Sequence, residues 1–182
     1  MNDRFYDPEK HHRRSIRLKG YDYSQSGAYF LTICTHNREP VFGKIVNAKM
    51  ELNIYGRIVS ARWHNLPRYH VYIELDAFVV MPNHVHGIVV IRSDSTELAK
   101  RRPISEIVSG FKTFSSRRIN EVRGTSGIPV WQRNYWEHVI RDEDSFSRIH
   151  DYILTNPLRW DLDRENPHRK GEDDFDRWLD SL

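Results

Sequence analysis

Apolar and polar positions alternate most clearly in the first half of the chain. AYFLTICT (28–35) is dense in β-branched and aromatic residues and predicts a strand. KIVNAKMEL (44–52) predicts a second, weaker one. Between 53 and 66 the period lengthens: Ile54, Ile58, Ala61 and Leu66 recur at near-helical spacing, and the pattern stops before Pro67. IELDAFVVM (73–81) and HVHGIVVI (84–91) then read as two strands joined by the turn dipeptide Pro82-Asn83, a β-hairpin. RSDSTELAKRRP (92–103) is polar without period and predicts a long surface loop. Ile104, Ile107, Val108, Phe111 and Ser115 mark an amphipathic helix. VWQRNYWEHVIR (130–141) alternates loosely, as an edge strand does. RDEDSFSRIHDYILTNP (141–157) predicts a last helix, with acids at its positive end and Pro157 as its stop. Neighbouring strands with helices between them predict an α+β fold, an antiparallel sheet with helices on one face.

Composition narrows the class. The chain has 182 residues, 38% hydrophobic and 29% charged, which suits one folded domain rather than a disordered segment. No apolar run approaches the roughly 20 residues of a membrane span. The first residues, MNDRFYDPEKHHRRS, contain no apolar signal region, and a single cysteine, Cys34, permits no internal disulfide. A cytoplasmic protein without membrane contact is expected. The net charge of +3 is too small to argue for nucleic acid by itself. Its distribution says more. HHRRSIRLKG (11–20) and KRRP (100–103) are basic blocks, and Lys112, Arg117, Arg118 and Arg123 follow on one helix and its exit. Single blocks of this kind are usually solvated faces. Three of them, with aromatic residues interspersed, point to a polyanion surface.

The chemistry concentrates in MPNHVHGIVV (81–90). On a strand His84 and His86 share a face, with imidazoles roughly 6 to 7 Å apart along the strand. Val85 is assigned to the opposite face, together with Ile88 and Val90. Two such imidazoles can converge on one metal ion, although a surface pair with no ligand has the same spacing. Zinc-finger spacings and HExxH are absent. A further ligand must come from elsewhere, and DYILTNP (151–157) is the candidate. Tyr152 and Asn156 are four apart, stacked on one side of the expected helix at the margin of the stripe formed by Phe146, Ile149 and Ile153.

In this order the motifs resemble the HUH single-tyrosine transposases of insertion sequences, and within them the REP-associated tyrosine transposases. The resemblance runs from about Arg13 to Trp160. It is carried by RRSIRLKGYDYSQSGAYFLTICT, ELNIYGRIV, VVMPNHVHGIVV, FKTFSSRRIN and VWQRNYWEHVIRDEDSFSRIHDYILTNPLRW. It implies a ferredoxin-like sheet and a divalent cation, Mg²⁺ or Mn²⁺, held by His84, His86 and Asn156. It also implies that Tyr152 is the nucleophile that cuts single-stranded DNA and keeps the 5′ phosphate. Insertion-sequence relatives often carry glutamine where this chain has Asn156. The implied partner is single-stranded DNA folded into a REP-like hairpin. Arg13, Arg14, Arg17 and Lys19 are expected to grasp the folded end, and Lys112, Arg117, Arg118 and Arg133 to meet DNA. A homodimer and a monomer both stay open. The expected divisions are a basic extension (1–25), a catalytic domain (26–160) and a charged tail (161–182).

Two other classes compete with a strand transferase. One is an RRM-like binding module without turnover. The other is a metal-dependent hydrolase of small phosphoesters, which needs no covalent tyrosine.

Overall fold

The structure is a computed structural model that describes residues 22–93 and 101–182. The basic positions Arg13, Arg14, Arg17 and Lys19 and most of the expected loop lie outside the described residues. Four strands form an antiparallel sheet: β1 (Gly27–Cys34), β4 (Ile73–Val80), β5 (His84–Ile91) and β6 (Trp136–Ile140), in the order β4-β5-β1-β6. Helix α1 (Ile54–His64) connects β1 to β4, and α3 (Ile104–Arg123) connects β5 to β6. This is the split βαβ arrangement of a ferredoxin-like sheet, and β6 is the edge strand that its loose alternation predicts.

Between β1 and α1 the expected single strand is instead a small hairpin, β2 (Gly43–Val46) and β3 (Lys49–Leu52). Asn47 and Ala48 turn it with φ of 49° and 59°. A two-residue hairpin turn of this hand needs positive φ at both central positions. Asn-Ala is a weaker turn signal than Asn-Gly, so the break is hard to read from sequence.

Side-chain alternation divides the core into two. Tyr29, Leu31, Ile33, Val85, Val89 and Ile91 face Val59 and Trp63 of α1 and Ile107, Val108 and Phe111 of α3. Phe30 and Ile88 face the other way, against Ile149, Tyr152 and Ile153 of α4 (Glu143–Thr155) and Phe175 and Leu179 of α5 (Asp174–Leu179). One-sided cover therefore describes α1 and α3; α4 and α5 lie on the second face. The reason is the period of two: Ile88 and Val90 have the parity of His84 and His86, not of Val85, and give that second face an apolar half that must be covered. Residues 161–182 supply part of the cover through α5. A short helix α2 (Leu66–Tyr69) bridges α1 and β4.

Local chemistry sets the helix ends. The Asn53 side chain accepts from the amides of Tyr55 and Gly56 and starts α1. Asp142 accepts from the Ser145 amide and starts α4, with Glu143 and Asp144 in its first turn. Gly124, at φ 65°, closes α3. Helix α4 ends at Thr155, and Pro157 opens a 3₁₀ segment, Asn156–Leu162. Behind the histidines, Gly87 lies against Trp63, whose ring stacks on Phe78 at 4.6 Å; a Cβ on Gly87 would fall 2.3 Å from Trp63 Cζ2.

Candidate active site

His84 and His86 project from β5 toward α4 and are 0% and 2% exposed. Their Nε2 atoms are 3.0 Å apart. The ring faces are held from behind: His84 Nδ1 lies 2.8 Å from Asn83 Oδ1, and His86 Nδ1 2.9 Å from Thr32 Oγ1. Thr32 reaches His86 because β1 pairs with β5 in a register that sets the two opposite each other. Burial pushes His84 down to about 3, so its ring is neutral at physiological pH.

The third acid–base group is Asp163, in the segment that the sequence reads as a charged tail. Its Oδ2 lies 3.7 Å from His84 Nε2 and 3.8 Å from His86 Nε2. Its Oδ1 accepts from the Glu165 amide at 2.7 Å. Burial alone would raise this carboxyl, but His84, His86 and the Asn156 amide around it hold it well below the usual carboxylate range. Asn156 is fully buried at the end of α4; its Nδ2 donates to Asp163 Oδ2 at 2.8 Å, while its Oδ1 has no hydrogen-bond partner. A buried, unpartnered amide oxygen normally needs one.

Tyr152 completes the cluster from α4, where Ile149 and Ile153 anchor the same inward side. Its hydroxyl lies 3.5 Å from His86 Nε2 and 3.4 Å from Asp163 Oδ2. The ring stacks on Phe175 at 3.6 Å with 7° between planes and meets Phe30 edge-on at 6.3 Å. Burial, then the carboxylates of Asp163, Asp176 and Asp173, raise the phenol well above its ordinary value. It is protonated at neutral pH and needs activation to act as a nucleophile.

The donor set fits a divalent cation. Two imidazole nitrogens and a carboxylate oxygen, all buried, lie within 4.8 Å of one another, and the free oxygen of Asn156 borders them. Donors about 2.1 Å from one ion and at right angles are separated by about 3.0 Å, the spacing between the two Nε2 atoms. Mixed nitrogen and oxygen donors suit Mn²⁺ better than Mg²⁺, which favours oxygen.

The other expected site residues among the described residues lie apart from this cluster. Lys112 Nζ donates to the carbonyls of Gln132, Arg133 and Asn134, so its charge is spent on holding that loop. Arg117 and Arg133 line an open groove of about 1150 Å³ between α3 and residues 125–135. It lies with α3 on the sheet face away from the histidines. Arg118 pairs with Glu121 at 2.7 Å. Tyr135, the alternative phenol, donates to Glu137.

Sequence reasoning missed Asp163, Asn83, Thr32 and Phe175. For Phe175 a signal exists: Phe175, Trp178 and Leu179 stand at i, i+3 and i+4 inside the charged segment. Asp163 has none, because nothing in DLDREN separates a buried aspartate from its exposed neighbours.

An antiparallel ferredoxin-like sheet thus carries paired histidines on an inner strand, with a tyrosine facing them from a late helix. The model of the IS200-like transposases matches residues 24–156, and the chain belongs to that family. Within it the chain is similar to a REP-associated tyrosine transposase of Escherichia coli, with 25% identity over 138 residues that cover 75% of this chain and 70% of that protein. An uncharacterized protein of Haemophilus influenzae is 41% identical over 172 residues, 87% of this chain and 96% of that one. Among solved structures, a REP-associated tyrosine transposase bound to a REP hairpin shares the fold, with a TM-score of 0.52 at 21% identity over 80% of this chain and 74% of that one. No helix among the described residues is long and apolar enough to cross a membrane.

Proposed function

We propose that this transposase cuts and rejoins single-stranded DNA at hairpin-forming, REP-like sequences through a covalent link to Tyr152. The observation that carries the reading is the position of the Tyr152 hydroxyl, 3.5 Å from one histidine of a buried pair and 3.4 Å from the adjoining carboxylate. His84, His86 and Asp163, with the free oxygen of Asn156, would hold the divalent cation. Bound there, the cation supplies Lewis-acid stabilisation and orientation of the scissile phosphate.

The remaining work belongs to the chain. Tyr152 Oη attacks phosphorus, and its proton passes to solvent. The bond from phosphorus to the 3′ oxygen breaks, that oxygen takes up a proton, and a 3′-OH is released. The 5′ phosphate stays on the tyrosine. Because the phosphodiester energy is kept in that bond, a second 3′-OH can reverse the step without ATP. Arg13, Arg14, Arg17 and Lys19 would grip the hairpin. Arg117, Arg118 and Arg133 would meet DNA on the other side of the sheet, with Lys112 supporting the loop that carries Arg133.

The test is adduct trapping. A labelled single-stranded hairpin incubated with the protein and Mn²⁺ should yield a species that survives a denaturing gel, and Tyr152→Phe should yield none. The double variant His84→Ala, His86→Ala should stop nicking and keep most hairpin affinity. An adduct that persists in Tyr152→Phe and maps to Tyr135 refutes the assignment. Nicking with no adduct at any tyrosine would favour a hydrolase.

A further inference from the structure

The amide of Asn83 sits behind the histidine pair, 1% exposed, in the turn between β4 and β5. Its Nδ2 donates to two backbone carbonyls, Glu165 at 2.7 Å and Arg38 at 3.1 Å. Those carbonyls can only accept. Turning the amide over would set Oδ1 against two oxygens, so the orientation of this side chain is fixed by its surroundings. The atom 2.8 Å from His84 Nδ1 is therefore an oxygen.

An amide oxygen also can only accept. His84 Nδ1 must then carry the hydrogen, and in a neutral imidazole the lone pair is left on Nε2. That nitrogen is the one 3.0 Å from His86 Nε2 and 3.7 Å from Asp163 Oδ2. His86 has no such constraint on its Nδ1 side, although with no cation present its Nε2, 3.0 Å from the bare Nε2 of His84, carries the hydrogen and donates to it. Its Nδ1 meets the Thr32 hydroxyl at 2.9 Å, and a hydroxyl both donates and accepts, so it serves either tautomer. The two histidines, alike in sequence, differ in freedom: one is fixed and one is adaptable.

We infer that Asn83 is a positioning residue for the cation, holding His84 in the tautomer that presents Nε2 as a ligand, while Thr32 leaves His86 free to adopt either. The inference rests on the proposed cation site but not on the tyrosine chemistry. It also gives the Glu165 carbonyl a role: the C-terminal segment and the β1–β2 connection each hold the amide that orients a ligand.

Two measurements decide it. In ¹⁵N-labelled, cation-free protein, the imidazole spectrum should show His84 with its hydrogen on Nδ1; hydrogen on Nε2 would overturn the inference without any variant. Mn²⁺ affinity, read from the free-ion paramagnetic resonance signal, should fall about 10- to 100-fold in Asn83→Ala. In Asn83→Asp the oxygen facing His84 is kept, so the His84 hydrogen should stay on Nδ1, while the second carboxylate oxygen, set against the Glu165 and Arg38 carbonyls, should lower the melting temperature. A folded Asn83→Ala protein with parental Mn²⁺ affinity and His84 still protonated on Nδ1 also overturns it. The outcomes separate from the functional reading. Absence of any adduct in the parent protein, with Mn²⁺ affinity and tautomer as expected, would count against the Tyr152 chemistry alone. Parental Mn²⁺ binding in both His84→Ala and His86→Ala would move the cation elsewhere.

Discussion

Replacing Phe175 by alanine removes the ring that lies flat on Tyr152. Phe175 is 3% exposed, stacks on the tyrosine at 3.6 Å, and meets Phe30 edge-on at 6.1 Å and Trp178 at 5.3 Å. Truncating a buried phenylalanine costs about 3–5 kcal/mol, of which aromatic pairing is about 0.5–1.5 kcal/mol. The ring belongs to the same apolar cluster as Phe30, Ile88, Ile149 and Ile153, so the loss should be felt by the whole second face. For a chain of this size each kcal/mol lowers the melting temperature by about 2–4 °C, giving a drop of about 10 °C. Urea denaturation followed by circular dichroism measures the free energy directly. The midpoint should fall with an unchanged slope. A loss under about 1 kcal/mol, with residues 163–182 newly open to protease, would refute the reasoning. It would mean that the C-terminal segment opens separately from the core.

Three further expectations follow from the same geometry. Asn156→Asp sets a second carboxylate beside Asp163, so the cation-free protein should melt lower than the parent and Mn²⁺ should restore it; a melting temperature indifferent to Mn²⁺ would place the ligands elsewhere. Lys112→Met should destabilise by about 1–3 kcal/mol, because three carbonyls lose their donor. It should leave the salt dependence of hairpin binding unchanged, whereas each phosphate contact truly lost lowers the log–log slope by about 0.7. Burial lifts Asp176 to about 6 from an ordinary 3.8, with Arg164 opposing. The folded chain thus keeps this proton to higher pH than the unfolded chain does, so the group's contribution is present below its unfolded value and lost as pH rises through about 6. Asp176→Asn should flatten that part of the stability profile, and an unchanged decline would assign it to another group.

Much of the sheet is legible in the sequence because its strands bury both faces and keep their β-branched runs: the order of elements, the β4–β5 hairpin and the edge character of β6 all follow. The histidine pair and the Tyr152–Asn156 spacing are equally readable, since period two and period 3.6 each place side chains without outside information. What failed depends on tertiary contacts. The parity slip at Ile88 and Val90 hid the need for a second helical layer. Asp163, Glu165 and Asp173 look like solvated acids, yet all three are buried against partners distant in the chain. Arg159 pairs with Asp173 at 2.6 Å and Arg38 with Glu165 at 2.8 Å. Charge pattern alone cannot tell an acid that faces water from one that faces a histidine. Lys112 shows the converse, a cation on a basic helix whose partners are carbonyls of its own chain.

Gly87 changes how the signature HVHG should be scored. Two of its letters are the proposed cation ligands, but the glycine is there because an indole ring occupies the space its side chain would fill. In a mutational screen read only by transposition, a library would rank Gly87 beside His86 as indispensable. Read by cellular abundance, the two should part: His86 variants accumulate as intact, inert protein, while Gly87 variants, unable to seat Trp63, are cleared. Sorting the signature by those two readouts would show which positions can be altered to retune activity and which only break the scaffold.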